Sequence, residues 1–138
     1  MKLQQRCGNL TGRHLCLLVE ALFHLAAARM ALGMLPYRRY ERLLGPAPSP
    51  AQNFPIASAH AVGSAVTRAA ALVPWRSDCL LQATAAQWML RRRKVSARLH
   101  IGVAVEGEPL IAHAWLTCES AVLTGRRGHR HFHKIRTY

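Results

Sequence analysis

"CLLQATAAQWMLRRRKVSARLHIGVAV", residues 79–105, changes its hydrophobic period partway along. In its first half Leu80, Ala83, Ala86 and Leu90, with Leu81, Ala85 and Met89 beside them, recur as one face of a helix does. Ser77 or Asp78 is placed to cap the start, and Arg91, Arg92, Arg93 and Lys94 complement the negative end of the helix dipole. From Leu99 onward the period is two, with Leu99, Ile101, Val103 and Val105 alternating with His100, Gly102 and Ala104. "EGEP" (106–109) then reads as a turn and "LIAHAWLTC" (110–118) as a second strand. Further short strands are expected at Ala121–Thr124 and around 130–137. Helices first and an antiparallel sheet after them is an α+β order.

Upstream, residues 11–34 are rich in Leu and Ala at helical spacing, and Pro36 stops that helix before the short basic piece "YRRYERLLG". The apolar run 15–35 approaches membrane-spanning length, but Glu20, His24 and Arg29 interrupt it, each at a cost in insertion energy. A buried or partner-facing helix is expected in place of a membrane span. "GPAPSPAQNFP" (45–55) favours extended backbone and divides the chain into a helical segment 1–44, a linker 45–55 and a core 56–138. Ser58 is placed to cap an Ala- and Val-rich helix that ends at Val73-Pro74, its small residues permitting close packing.

With 138 residues the chain fits one domain that buries roughly two-thirds of its unfolded surface. Hydrophobic residues make up 51% and charged ones 18%, which excludes a disordered chain. Nineteen Lys and Arg against six Asp and Glu leave a formal charge of +13, suited to acidic partners of any kind. The cysteines Cys7, Cys16, Cys79 and Cys118 form no CxxC pair, and no secretion signal precedes them, so the reading is a cytoplasmic protein with reduced thiols.

Cys79 opens its helix, where unpaired backbone N–H groups favour a thiolate; adjacent Asp78 opposes this unless its carboxylate is turned away. His113 is the histidine embedded in an apolar strand, and burying an imidazole there needs a polar reason, either a hydrogen-bonded core role or chemistry. If "EGEP" closes a hairpin pairing Val105 with Leu110, Gly102 lies opposite His113 and His100 opposite Trp115, with Gly102 leaving room beside the imidazole. Cys118 points to the other face with Ala114 and Leu116, as a structural thiol does.

"CLLQATAAQWMLRRRKVSARLHIGVAVEG" followed by "AHAWL", with the lead-in "ALFHLAAARMALGMLPYRRYERLLG", resembles the stand-alone, protease-only form of the lasso-peptide B protein. That family is transglutaminase-like and papain-like, and the resemblance covers nearly the whole chain. It implies removal of a leader peptide from a lasso-peptide precursor, ahead of macrolactam formation by an ATP-using, asparagine-synthetase-like cyclase. It implies no cofactor and no metal. The small winged-helix leader-binding element of the family has no counterpart in the N-terminal fifty residues, so a separate leader-recognition protein is expected. Carried over by motif, Cys79 matches the nucleophile and His113 the general base. The oxyanion would be held by the backbone N–H of Cys79 and a second donor, with Gln82, Trp75 and Gln52 as candidates.

The family's third member is an Asp downstream of the histidine, and here the only Asp is Asp78. Glu119 is the one downstream carboxylate, near the far end of the strand; Thr124 would lie across from Trp115 if Glu119-Ser120 turns the next hairpin. The ring's orienter is therefore expected to be Thr124, Glu119 or a backbone carbonyl. His129, His131 and His133 would share one face of the last strand, but no Cys or carboxylate of suitable spacing accompanies them, so a basic border to the cleft is expected in place of a metal site. Two alternatives stand beside the peptidase: a catalytically impaired adaptor of the same fold, suggested by the missing Asp, and a basic nucleic-acid-binding domain. The second lacks an aromatic RNA platform and zinc-finger spacing.

Overall fold

The computed structural model describes residues 2–46, 55–104, 111–127 and 129–138, so the "EGEP" turn, Val105 and most of the Pro-rich linker lie outside the described residues. Four helices precede a small sheet: α1 (Lys2–Met34), α2 (Tyr37–Leu44), α3 (Ile56–Leu72) and α4 (Cys79–Arg92), then β1 (Arg98–Ala104), β2 (Ile111–Cys118), β3 (Ala121–Thr124) and β4 (His133–Thr137). The sheet is antiparallel with the order β3-β2-β1-β4. This is the α+β arrangement that the change of period implies.

α1 begins earlier than the apolar pattern suggests, because residues 2–10 carry no stripe to announce a helix but also no proline to stop one. Its inward face, with Leu17, Ala21, Leu25 and Ala28 buried, packs on α3 and α4. The groups that interrupt the apolar run are accommodated within the fold. Glu20 receives two hydrogen bonds from the Arg93 guanidinium of α4 (2.8 and 2.6 Å), which hold its carboxyl below the ordinary value. His24 is buried and donates from Nδ1 to the Glu20 carbonyl at 2.8 Å, while Arg29 stays exposed. Residues Thr11–Met34 are long and apolar enough to cross a bilayer by length and composition. Their outward side exposes Leu15, Val19, Phe23, Met30 and Met34.

α2 is tied down by α4. Trp88 Nε1 and Arg91 donate to the Leu43 carbonyl (3.3 and 3.2 Å), and Arg91 also donates to Leu44 O. These bonds satisfy carbonyls that a helix C-terminus leaves open. Tyr40 and Thr84 share a buried hydroxyl bond of 2.7 Å. At the start of α3 the structure corrects the expected cap. Pro55 occupies the N-cap position and Ser58 is already helical, its N–H bonded to Pro55 O at 2.9 Å; the fixed φ of proline pre-sets that entry.

α4 is the central helix of the core, with Leu81, Met89 and Leu90 fully buried, each contributing about 1.5–3 kcal/mol. Beneath it lie Leu99, Ala114, Leu116 and Cys118, the helix-facing side of the sheet. The β1–β2 register pairs Gly102 with His113 and His100 with Trp115, as hairpin symmetry about "EGEP" predicts. On the far side of the sheet Trp115 is buried between His100 and His113, with ring centroids 5.5 and 6.0 Å away.

Two expectations for the C-terminal half are corrected. Thr124 pairs with Leu116 and not with Trp115, because a bulge between Leu116 and Thr117 adds a residue to β3. Residues 129–131 form a 3-10 turn ahead of β4, so His129 and His131 do not share a strand face with His133. The turn delivers Phe132 against the His113 ring at 5.0 Å. Among the described residues no group of metal-ligating side chains comes together.

Candidate active site

β3 is four residues long and ends opposite Leu116, so the first part of β2 is paired on one side only. An open strand edge leaves backbone groups without ladder partners. Here the start of α4 supplies one: the Ala114 N–H donates to Cys79 Sγ at 3.3 Å. Cys79 is half-buried at the first helical position, and the N–H groups of that first turn have no intrahelical acceptors. The thiol therefore sits among N–H donors from two elements.

His113 immediately precedes Ala114, and its Nε2 lies 2.8 Å from the Gly125 carbonyl. A carbonyl only accepts, so Nε2 carries the proton and Nδ1 is the basic nitrogen of the neutral ring. Trp115, stacked at an interplanar angle of 20°, and Phe132, at 35°, hold the ring from its sides. The acceptor reaches the ring because backbone meets backbone closely. A Cβ on Gly125 (φ +71°) would lie 2.5 Å from the Ala114 carbonyl. One layer out, a Cβ on Gly63 of α3 would lie 2.6 Å from the Leu123 carbonyl, so the helix presses directly on the bulged strand.

The structure brings Cys79, His113, Thr124 and Gln82 to one cavity of about 670 Å³. Thr124 is buried in its wall, with Oγ1 hydrogen-bonded to no described residue. Glu119 is exposed at the β2–β3 turn with φ +53°, and at ~3.3 Å per residue it stands about 20 Å along the strand from His113. It does not reach the ring. Gln82 donates from Nε2 to the Ser77 carbonyl at 3.0 Å, Trp75 has a buried Nε1 without a partner among the described residues and does not line the cavity, and Gln52 lies outside the described residues. Asp78 holds the N-cap position without a capping bond from its side chain; its carboxylate is turned to Arg76 at 3.4 Å. The space opposite His113 that Gly102 leaves is filled by the Trp115 indole, 2.9 Å from where a Cβ would stand, and not by the imidazole.

His100 and Cys118 show what the same sheet does away from the cavity. His100 bonds Thr137 Oγ1 through Nδ1 (3.0 Å) and Thr117 Oγ1 through Nε2 (2.9 Å), and burial, aided by Lys134 and Arg98, pushes its pKa down to about 4. Burial, with Glu119 nearby, raises the pKa of the Cys118 thiol. A neutral histidine and a protonated, enclosed thiol are structural groups.

A backbone carbonyl is among the expected orienters, but two components of the site escape sequence reasoning in their identity, Gly125 as the source of that carbonyl and the Ala114 N–H, because backbone groups have no residue signature. A third was legible and missed. His60, Ser64, Thr67 and Arg68 of α3 line the opposite wall, and polar residues at i, i+4, i+7 and i+8 in an otherwise apolar helix mark a solvent-facing stripe. Compared with known proteins, residues 22–137 match the family described as Transglutaminase-like superfamily. No curated protein and no solved structure matches the chain.

Proposed function

Because the chain belongs to the transglutaminase-like superfamily, we propose that it is a cysteine peptidase in which Cys79 is the nucleophile and His113 the general base. The observation that carries this is the open edge of β2, where Cys79 Sγ accepts the Ala114 N–H and the His113 imidazole, held through Nε2 by the Gly125 carbonyl, lines the same cavity. Nδ1 takes the thiol proton and Sγ attacks the scissile carbonyl. The oxyanion is stabilised by the free N–H of Cys79 in the first turn of α4. The imidazolium returns its proton to the leaving amine, a thioester remains, and water activated by Nδ1 releases the acyl fragment. Through this cycle the Gly125 carbonyl keeps Nε2 protonated and the ring aimed, the tautomer-fixing task that an Asp performs in a triad. A neutral acceptor stabilises the imidazolium less than a carboxylate does, and a thiol, already more acidic than a serine hydroxyl, asks less of its base.

The substrate is the precursor of a lasso peptide, and the acyl fragment is its leader; the amine that departs is the new N-terminus of the core. Supporting this is the order of motifs along the chain, the Cys79 helix with its arginine-rich end, "LHIGV" and "AHAW". The protein acts in the cytoplasm with a separate winged-helix leader-recognition protein and an asparagine-synthetase-like, ATP-dependent cyclase. The test is incubation of precursor and leader-recognition protein with the wild-type chain or Cys79→Ala, following leader release by mass spectrometry. Release by the wild type and none by the variant is expected. Retained release by a contaminant-free Cys79→Ala protein removes the nucleophile from the mechanism, and folded wild type that releases nothing leaves the adaptor reading in its place.

A further inference from the structure

The cavity around Cys79 and His113 has three cationic side chains in its wall, Arg68 from α3 and Arg126 and Arg127 from the segment after β3. All three are solvent-exposed, and Arg126 is engaged as well, donating from Nη2 to the Val122 carbonyl at 3.4 Å. No carboxylate among the described residues lines the same space. The described acidic groups are engaged or distant: Glu20 with Arg93, Glu41 with Arg136 and Tyr138, Asp78 with Arg76, and Glu119 at its turn. A concave wall lined by one sign of charge focuses its field into the cavity. Guanidinium groups recognise carboxylates with two parallel hydrogen bonds.

We propose that Arg68 and Arg127 form a subsite that selects an Asp or Glu side chain of the substrate peptide, within a few residues of the scissile bond. The inference rests on the peptidase reading for its substrate and extends it to a specificity. An extended peptide advances ~3.3 Å per residue, so a cavity of about 670 Å³ holding both the reactive pair and the arginines admits the scissile bond and the acidic side chain together. A glutamate carries its carboxylate to this wall as a single recognised feature, whereas glutamine of the same shape brings no charge to it.

The experiment uses the full chain and two pools of fluorescent peptides, identical except that one position is fixed as Glu or as Gln. Binding is measured by anisotropy on Cys79→Ala and cleavage on the wild type. The Glu pools are expected to bind about tenfold more tightly in at least one register. Arg68→Gln combined with Arg127→Gln, built on either background, should bring that ratio close to one. Arg38→Gln with Arg39→Gln, two exposed positions on α2, removes the same charge elsewhere and should leave the ratio in place. Equal binding of the pools, or equal loss of preference in the α2 control, overturns the subsite. Discrimination in binding, together with no leader release from the precursor by the wild type in the presence of the leader-recognition protein, retains the subsite and overturns the peptidase reading.

Discussion

The two halves of β2 share the same partner, β1, yet they differ in what lies on their other side. From Leu116 to Cys118 the strand is paired on both sides, and its cysteine is buried with a thiol of raised pKa. Along the residues before Leu116 the β3 side is open, and there the start of α4 and the Gly125 carbonyl take places that a longer strand would fill. The histidines repeat the contrast. His100 spends both ring nitrogens on threonine hydroxyls, while His113 spends one on a carbonyl and faces the cavity. The proposed reactive pair lies where the ladder stops, where the Ala114 N–H is available to something other than a neighbouring strand.

The comparison breaks most visibly at the cysteines. Cys79→Ala should lower leader release at least ~10³-fold with little change in stability, whereas Cys118→Ala should keep release within about twofold and cost about 1 kcal/mol in denaturant unfolding. Equal losses of activity would erase the distinction between the two halves. Next comes Gly125→Ala. Its Cβ would collide with the Ala114 carbonyl at a positive φ, so a loss of about 2–3 kcal/mol and a fall in release of tenfold or more are expected. An unchanged midpoint and rate would mean that the close approach is dispensable.

His100 gives a pH signature. Its folded pKa, about 4, lies below the ordinary 6.5, so between these values the unfolded chain binds more protons than the folded one. The His100 contribution is therefore present above about pH 6.5 and lost as pH falls toward 4. Thermal midpoints measured across that window should decline for the wild type and decline less for His100→Gln. Parallel curves would place the acid sensitivity elsewhere. The smallest effects are expected at the residues that could have oriented the ring by side chain. Thr124→Val and Glu119→Gln should each leave release within about twofold, since neither side chain bonds His113; a tenfold loss in either would transfer the orienting role from the Gly125 carbonyl to that residue.

The helix-to-strand change after Arg92, the four strands in order, and the pairing of Gly102 with His113 were all legible in the residues. Periodicity and hairpin arithmetic are local, so each needs only neighbours along the chain. So were the positions of the two cysteines, Cys79 at a helix start and Cys118 on the inner face of a strand. What tertiary structure alone decided are the contacts made by backbone or by shape: the bulge that displaces Thr124, the Gly125 carbonyl behind His113, and the Trp115 ring that fills the space at Gly102. The turn at 129–131 that places Phe132 belongs with them. A glycine in a sequence announces that something comes close; which atom comes close depends on surfaces distant in the chain meeting in space.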